Sequence, residues 1–348
     1  MATMVSELLE TRVLTESIRE VRSPASFLDR LLFANRQPQP DDKIEISTLH
    51  GDRQMAPFVE VNGEAINVDG YNEDFQVVSA PNIRIKRPMV ATDAMLRRLG
   101  GFNVFTDRGQ KEAQIREAIA RDQQRMNDLL ENNMEWLASQ TLTGVVSYSV
   151  ARQANFRLDF GRLATHNINA AVSWATFATS QPADDLLAAA RLINDDSELN
   201  ATHAILSTEA ATNLFKSASI QNVLDNRRME AGSLEFRLFE ATGARFLGTI
   251  SGIQLWEYGR SITVNGVSTP LIRAGYAEVV HVGPSNQFVS YFGAIPDWDA
   301  IEEGLWMGEK FSKSWLTKDP SVRWMLLTSR PLPVPRRVNA TVSLDTSP

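Results

Sequence analysis

The chain has 348 residues, 43% hydrophobic and 22% charged, which places it with ordinary globular proteins and not with disordered ones; the length suggests two domains and allows a sizeable core. The formal net charge is −7, and basic residues never run longer than a pair such as Arg97-Arg98, Arg227-Arg228 or Arg336-Arg337, which argues against a dedicated nucleic-acid binder. There is no cysteine, so disulfides, thiolate metal sites and cysteine nucleophiles are excluded.

The N-terminus carries mixed charge from residue 7 and lacks a basic start followed by an apolar core, so it does not read as a signal peptide. No stretch approaches the roughly 18 apolar residues of a membrane span, and the expected place of synthesis is the cytoplasm. Val5, Leu8, Leu9, Val13, Leu14, Ile18 and Val21 share one helical face, predicting a helix over 4–21 that stops before Ser23-Pro24. A short apolar cluster, Phe27-Leu-Asp-Arg-Leu-Leu-Phe33, follows. It ends at Gln37-Pro-Gln-Pro-Asp-Asp42, a linker by composition. This N-terminal part has no core of its own and reads as an arm that packs on something else.

Residues 43–90 alternate as strands in Ile44-Glu-Ile46, Phe58-Val-Glu-Val61, Phe75-Gln-Val-Val78 and Ile83-Arg-Ile85, with turn signals at Asn62-Gly63 and Asp69-Gly70. The segment predicts a long, polar, hairpin-like excursion projecting from the body. Gln110 to Leu137 is the strongest helix signal: Ile115, Ile119, Met126, Leu130 and Leu137 fall on one face, with Leu129 and Met134 alongside. Arg116, Arg121, Arg125, Asp128 and Glu131 are expected to cover the rest, and Asp107 to cap the start. One apolar stripe on so long a helix requires a sheet or helix along its length.

Phe156 to Phe177 predicts a strand and a loop anchored by Trp174 and Phe177. Asp184–Ile193 and Thr208–Lys216 predict helices around a strand, His203–Leu206. Ile253–Tyr258, a hairpin at Asn265-Gly266, Ala277–Val282 and Phe288–Tyr291 add strands, so residues 184–300 read as one α+β body. Near the end, Ser314–Pro333 predicts two strands with Asp319-Pro320 as their turn and Pro331 as their stop. Trp315, Trp324, Met325 and Leu327 are expected to face the long helix or the sheet edge.

Nothing in the sequence rises to a catalytic, cofactor or metal motif. His50, His166, His203 and His281 are isolated from one another. The acid pairs Asp41-Asp42, Asp184-Asp185, Asp195-Asp196 and Glu302-Glu303 fall at predicted helix ends and in linkers, where acids suit solvent or a helix dipole. Phosphate-binding glycine motifs and the G-x-S-x-G elbow are missing. The sequence therefore predicts no catalytic residue, no cofactor and no metal. A cytoplasmic hydrolase using His203 or His281 beside an acid is the reading least favoured.

The order of landmarks is similar to that of the major capsid proteins of lambda-like tailed phages, which share the HK97-type shell fold. The resemblance runs through Phe27–Phe33, Ile83-Arg-Ile-Lys-Arg-Pro88, Leu96-Arg-Arg98, the long helix, Leu224-Asp-Asn-Arg-Arg228, and Tyr258-Gly259 ahead of Asn265-Gly-Val267. It continues through Tyr291-Phe-Gly-Ala-Ile-Pro-Asp297 and the stretch from Lys313 to Leu332. It implies an α+β HK97-type capsid fold with an N-terminal arm (1–50), an extended β-hairpin loop (51–90) lying over a neighbouring subunit, and a peripheral domain (91–180) with a spine helix over 110–137. An axial domain (181–300) and C-terminal strands (301–348) returning to the peripheral domain complete it. It also implies hexamers and pentamers in an icosahedral head shell around double-stranded DNA, assembled in the host cytoplasm. The implied partners are a scaffolding protein, a portal and a decoration protein, with non-specific DNA contact, no membrane and no enzymatic activity. A cellular encapsulin-like compartment shell of the same fold is the alternative, separated by its cargo.

Overall fold

A computed structural model of the protein describes residues 10–20, 26–49, 73–90, 108–148, 156–225, 232–234, 242–264, 266–283, 287–319 and 322–348. The expectations for residues 4–9, His50, the turns at Asn62-Gly63 and Asp69-Gly70, the 96–98 landmark, the Asp107 cap, and Asn265 and Pro320 lie outside the described residues.

Helix α1 (Thr11–Glu20) and helix α2 (Leu28–Leu32) form the N-terminal segment. Helix α3 spans Arg108–Leu142, 35 residues, and so runs five residues past the predicted end. At 1.5 Å per residue it is about 52 Å long. Helices α4 (Pro182–Ser197), α5 (Thr208–Lys216), α6 (Ala218–Asp225) and α7 (Trp298–Glu302) complete the described α-helices. Proline opens α4, where its missing N–H costs nothing. Ser207 caps α5 by accepting a hydrogen bond from the Ala210 amide.

Two sheets organise the molecule. The larger has seven strands, in the order Asn167–Asn169, Thr341–Asp345, Tyr276–Val280, His203–Leu206, Ile253–Tyr258, Ala244–Ile250 and Gly232–Leu234. Alternation sends its side chains to two cores. Ala204, Leu206, Leu255, Ala277 and Val279 pack against α4, α5 and α6, while Ile205, Tyr258 and Val280 face α2 and the C-terminal end of α3. The smaller sheet orders Phe311–Thr317, Val322–Ser329 and Ile83–Val90, all antiparallel. Its inner face, Met325 and Leu327, lies against Ile119, Met126, Leu130 and Met134 of α3, and α1 closes the same core with Leu14 and Ile18.

The C-terminal strand pair forms as predicted, with Trp315 opposite Trp324, and Met325 and Leu327 turned to the long helix. The two tryptophans, however, point the other way. Strand alternation puts Trp324 on the outer face, where the Lys86 ammonium sits 3.7 Å from its ring centroid.

Several expectations are corrected. The linker at 37–42 is partly a strand: Asn35–Pro38 pairs in parallel with Phe288–Phe292. Ile83–Val90 does not project; it is a strand of the smaller sheet, because its alternating residues find a partner in Val322–Ser329. Pro331 does not stop the chain's strands. Pro331–Pro335 is a buried strand paired with Phe288–Phe292, which ties 288–292 to this three-stranded unit and not to the seven-stranded sheet. The last strand, Thr341–Asp345, enters the seven-stranded sheet between Asn167–Asn169 and Tyr276–Val280. On α3, Leu129 is exposed and Glu131 is buried, the reverse of the single-stripe expectation. Phe177 is also partly exposed, while Trp174 is fully buried.

Candidate functional site: the polar seam of the long helix

Helix α3 carries a second buried stripe beside its apolar one. Gln123, Asn127, Glu131, Glu135 and Ser139 recur every four residues, and all five are buried. Four-residue spacing keeps side chains on nearly one line of a helix surface. Burying a polar side chain is costly unless it is hydrogen-bonded, so the stripe has to meet partners along its length.

The partners come mostly from the N-terminal segment. The Gln123 side chain accepts from Ser17 Oγ at 3.0 Å and donates to the Leu14 carbonyl at 3.3 Å, fixing α1. Asn127 Oδ1 and Glu131 Oε1 both accept from the buried Lys310 ammonium at 2.7 Å. Glu135 Oε1 accepts from the amides of Phe27 at 2.9 Å and Leu28 at 2.7 Å, and from the Tyr258 hydroxyl at 2.6 Å; Oε2 accepts from the Asp29 amide at 2.9 Å. Four donors converge on one fully buried carboxylate, three on Oε1 and one on Oε2.

Those amides are the orphan donors at the start of α2. Phe27 stands at the N-cap position and has no side-chain oxygen to offer. A local cap is therefore replaced by a carboxylate from the long helix. Around it, Phe27, Leu28, Leu32 and Phe33 pack with Ala138, Leu142, Ile205, Tyr258 and Phe288. The N-terminal segment thus sits between the long helix and the seven-stranded sheet of its own chain.

Charge concentrates beside this cap. Buried Asp29 bonds Arg36 at 2.6 Å, and Arg36 reaches Glu309 at 2.9 Å. Burial pushes the Asp29 carboxyl up to about 6; Arg36 pulls against that shift, and Glu131 and Glu135 add to it. Burial acts against the Arg36 charge, but Asp29 and Glu309 hold the guanidinium above its ordinary range. Burial raises the Tyr258 hydroxyl above the usual phenol range, and the neighbouring Glu135 carboxylate raises it further.

A second fastening joins α1 to the smaller sheet. Thr15 Oγ1 donates to the Ser312 carbonyl at 3.0 Å and accepts from the Ser312 amide at 3.1 Å. Both backbone groups of that edge-strand residue are satisfied, which closes the edge at this point.

The residues weighed for chemistry lie elsewhere and apart. His166 is buried, with Nδ1 2.9 Å from the Thr341 carbonyl and Nε2 2.9 Å from Asp196. His203 meets Thr202 Oγ1, and His281 meets the Asn200 carbonyl. Burial, and then its neighbour His281, lower the His203 imidazole below its ordinary range. Asp185 accepts from Trp174 Nε1 at 2.8 Å and from the Ala171 amide at 3.2 Å; Asp42 pairs with Arg330; Glu302 and Glu303 are exposed. Among the described residues no group of three or more His, Asp or Glu is arranged to hold a metal ion, and no helix is long and apolar enough to cross a membrane.

Sequence reasoning missed the seam. The available signal was the four-residue recurrence of polar residues on α3, which amphipathic reading assigns to solvent by default.

A family model described as phage major capsid protein E matches residues 10–346. No curated protein matches the chain. Among solved structures, the chain is similar to a protein of an E. coli CFT073 prophage assigned as a capsid protein, with 16% identity and a TM-score of 0.72 over 97% of this chain and 99% of that one. It is also similar to a phage-related protein from Bordetella bronchiseptica RB50, with 10% identity and a TM-score of 0.58 over 96% of each chain.

Proposed function

The chain belongs to the phage major capsid protein E family, and from that premise we propose how its parts serve the head shell that this major capsid protein forms. The fold is HK97-like, the copies assemble into a shell, and the protein resides in the virion head. Its family is one of structural proteins, and the proposal gives the chain no reaction.

In this reading α3 is the spine of a peripheral domain and the seven-stranded sheet is the centre of an axial domain. The observation that carries it is the polar seam: one long helix joins the smaller sheet, the N-terminal segment and the larger sheet into a unit that can bear load. Residues between Leu49 and Glu73 serve contact with a neighbouring subunit, and the strand pair flanking them supports this. Ile44 and Ile46 are buried, whereas Phe75 and Val77 on the paired strand are 72% and 62% exposed. Many weak contacts of this kind strengthen a shell through multivalency.

Hexamers and pentamers, a scaffolding protein, a portal and a decoration protein complete the assembly, which takes place in the host cytoplasm. The net charge of −7 suits a shell that touches packaged DNA non-specifically and lets it slide. The test is expression of the full chain with and without its scaffold, followed by electron microscopy. Rings or closed shells are expected; a strictly monomeric product under all conditions would overturn the reading.

A further inference from the structure

The N-terminal segment is seated by charged groups from several elements. Asp29 of α2 faces Arg36 from the strand Asn35–Pro38, and Glu131 and Glu135 from α3. Arg36 bonds Glu309, and Glu131 bonds Lys310, both from the stretch before the strand Phe311–Thr317. Tyr258 from the larger sheet donates to Glu135. Glu131 and Glu135 put like charge beside Asp29, and Arg36, the cation bonded to it, is shared with Glu309. Asp29 is 2% exposed and Glu135 wholly buried, so little solvent screens them. A cavity of about 530 Å³ adjoins the cluster, with Arg19, Glu20, Arg30, Arg36, Glu131, Glu309 and Lys310 on its wall.

We propose that Asp29 makes the seating of the N-terminal segment a proton-operated latch, in which the segment holds tightly with Asp29 protonated and is loosened when Asp29 ionises. The backbone bonds to Glu135 fix where α2 sits; the charge on Asp29 sets how firmly. Like charges nearby disfavour a further buried charge, and one guanidinium shared with Glu309 compensates it only in part. Undocking exposes Asp29 to water and relieves the conflict.

The sign follows from linkage. In the docked segment burial pushes the Asp29 carboxyl up to about 6, and undocking returns it to its ordinary value of 3.8. Docking therefore takes up a proton between those values and weakens as pH rises through 6. From pH 7 to pH 5 the docking equilibrium tightens about tenfold. This is a property of the single chain, so its test stands apart from that of shell assembly.

The experiment is amide hydrogen exchange on the full chain, corrected for the intrinsic effect of pH, and read at Phe27, Leu28 and Asp29. Protection of these amides relative to the larger sheet should rise about tenfold from pH 7 to pH 5. Asp29→Asn should be protected at both pH values and show no rise. Arg36→Gln, which removes the compensating charge, should move the midpoint upward. Protection that is flat with pH in the wild type, an equal rise in Asp29→Asn, or an unmoved midpoint in Arg36→Gln would overturn the latch.

Discussion

Glu135 and Leu28 are 107 positions apart in the chain, yet the Glu135 carboxylate accepts the Leu28 amide hydrogen at 2.7 Å. With the Phe27 and Asp29 amides on the same carboxylate, one side chain of the long helix does the work of a helix cap for the N-terminal segment. Glu135→Gln replaces an acceptor oxygen with a donor and, with its remaining oxygen at the Oε1 position, leaves the Asp29 amide unpaired. The expected loss is about 1–3 kcal/mol for each buried donor left without a partner. Denaturant unfolding gives the magnitude, and limited proteolysis should show earlier cutting between residues 10 and 38 than in the wild type. Unchanged stability and cutting would mean that the cap is dispensable.

The Lys310 ammonium is shared between Asn127 and Glu131 inside the protein. Lys310→Met should cost about 3–5 kcal/mol, because it strands the buried Glu131 charge. Adding Glu131→Leu should recover much of that loss, since a paired apolar replacement removes the uncompensated charge. A double-mutant cycle by urea unfolding checks the coupling. Strict additivity would show that the two groups do not interact.

The two faces of the smaller sheet should respond differently to truncation. Leu327→Ala opens a cavity against α3 and should cost about 2–5 kcal/mol. On the outer face, Lys86→Ala removes a cation from the Trp324 ring at a cost of about 1 kcal/mol or less. Thermal unfolding of the two variants side by side tests the ordering, and equal losses would contradict the assigned faces.

The loop reading separates folding from assembly. Replacing residues 52–71 with a short Gly/Ser linker leaves the paired strands Lys43–Leu49 and Glu73–Ser79 intact. The subunit should keep its wild-type unfolding midpoint and lose the capacity to form shells, as seen by electron microscopy and sedimentation. Normal shells from this variant would remove the loop from the assembly mechanism.

Gly266 turns the hairpin between Ser261–Val264 and Val267–Pro270 with φ +83°. An open tip means that a new Cβ meets no neighbour, so Gly266→Ala isolates backbone strain. About 1 kcal/mol of destabilisation is expected from chemical unfolding; no change would place the strain elsewhere.

Local pattern was enough for much of the fold. Thr208–Lys216 and Ile253–Tyr258 have the predicted bounds, because a Ser cap marks the one and a run of apolar and aromatic strand formers marks the other. The Trp315–Trp324 strand pair was legible for the same reason. Pro331–Pro335 was not. Proline signals an edge or a break, and here this strand runs along one side of a three-stranded unit, against Phe288–Phe292. Glu131 and Glu135 were also illegible as buried residues, since charge on a helix is normally a sign of solvent.

Local spacing along the chain sets the periods: which stretches are helices, which are strands, and which apolar residues seek a core. Those follow from backbone sterics and short-range spacing. Which partner each stretch finds emerges in the folded chain alone, because the Leu28 amide, the Lys310 ammonium and the Thr341–Asp345 strand are satisfied by groups far along the chain. A buried polar group states that it needs a partner, but its spacing does not say from where.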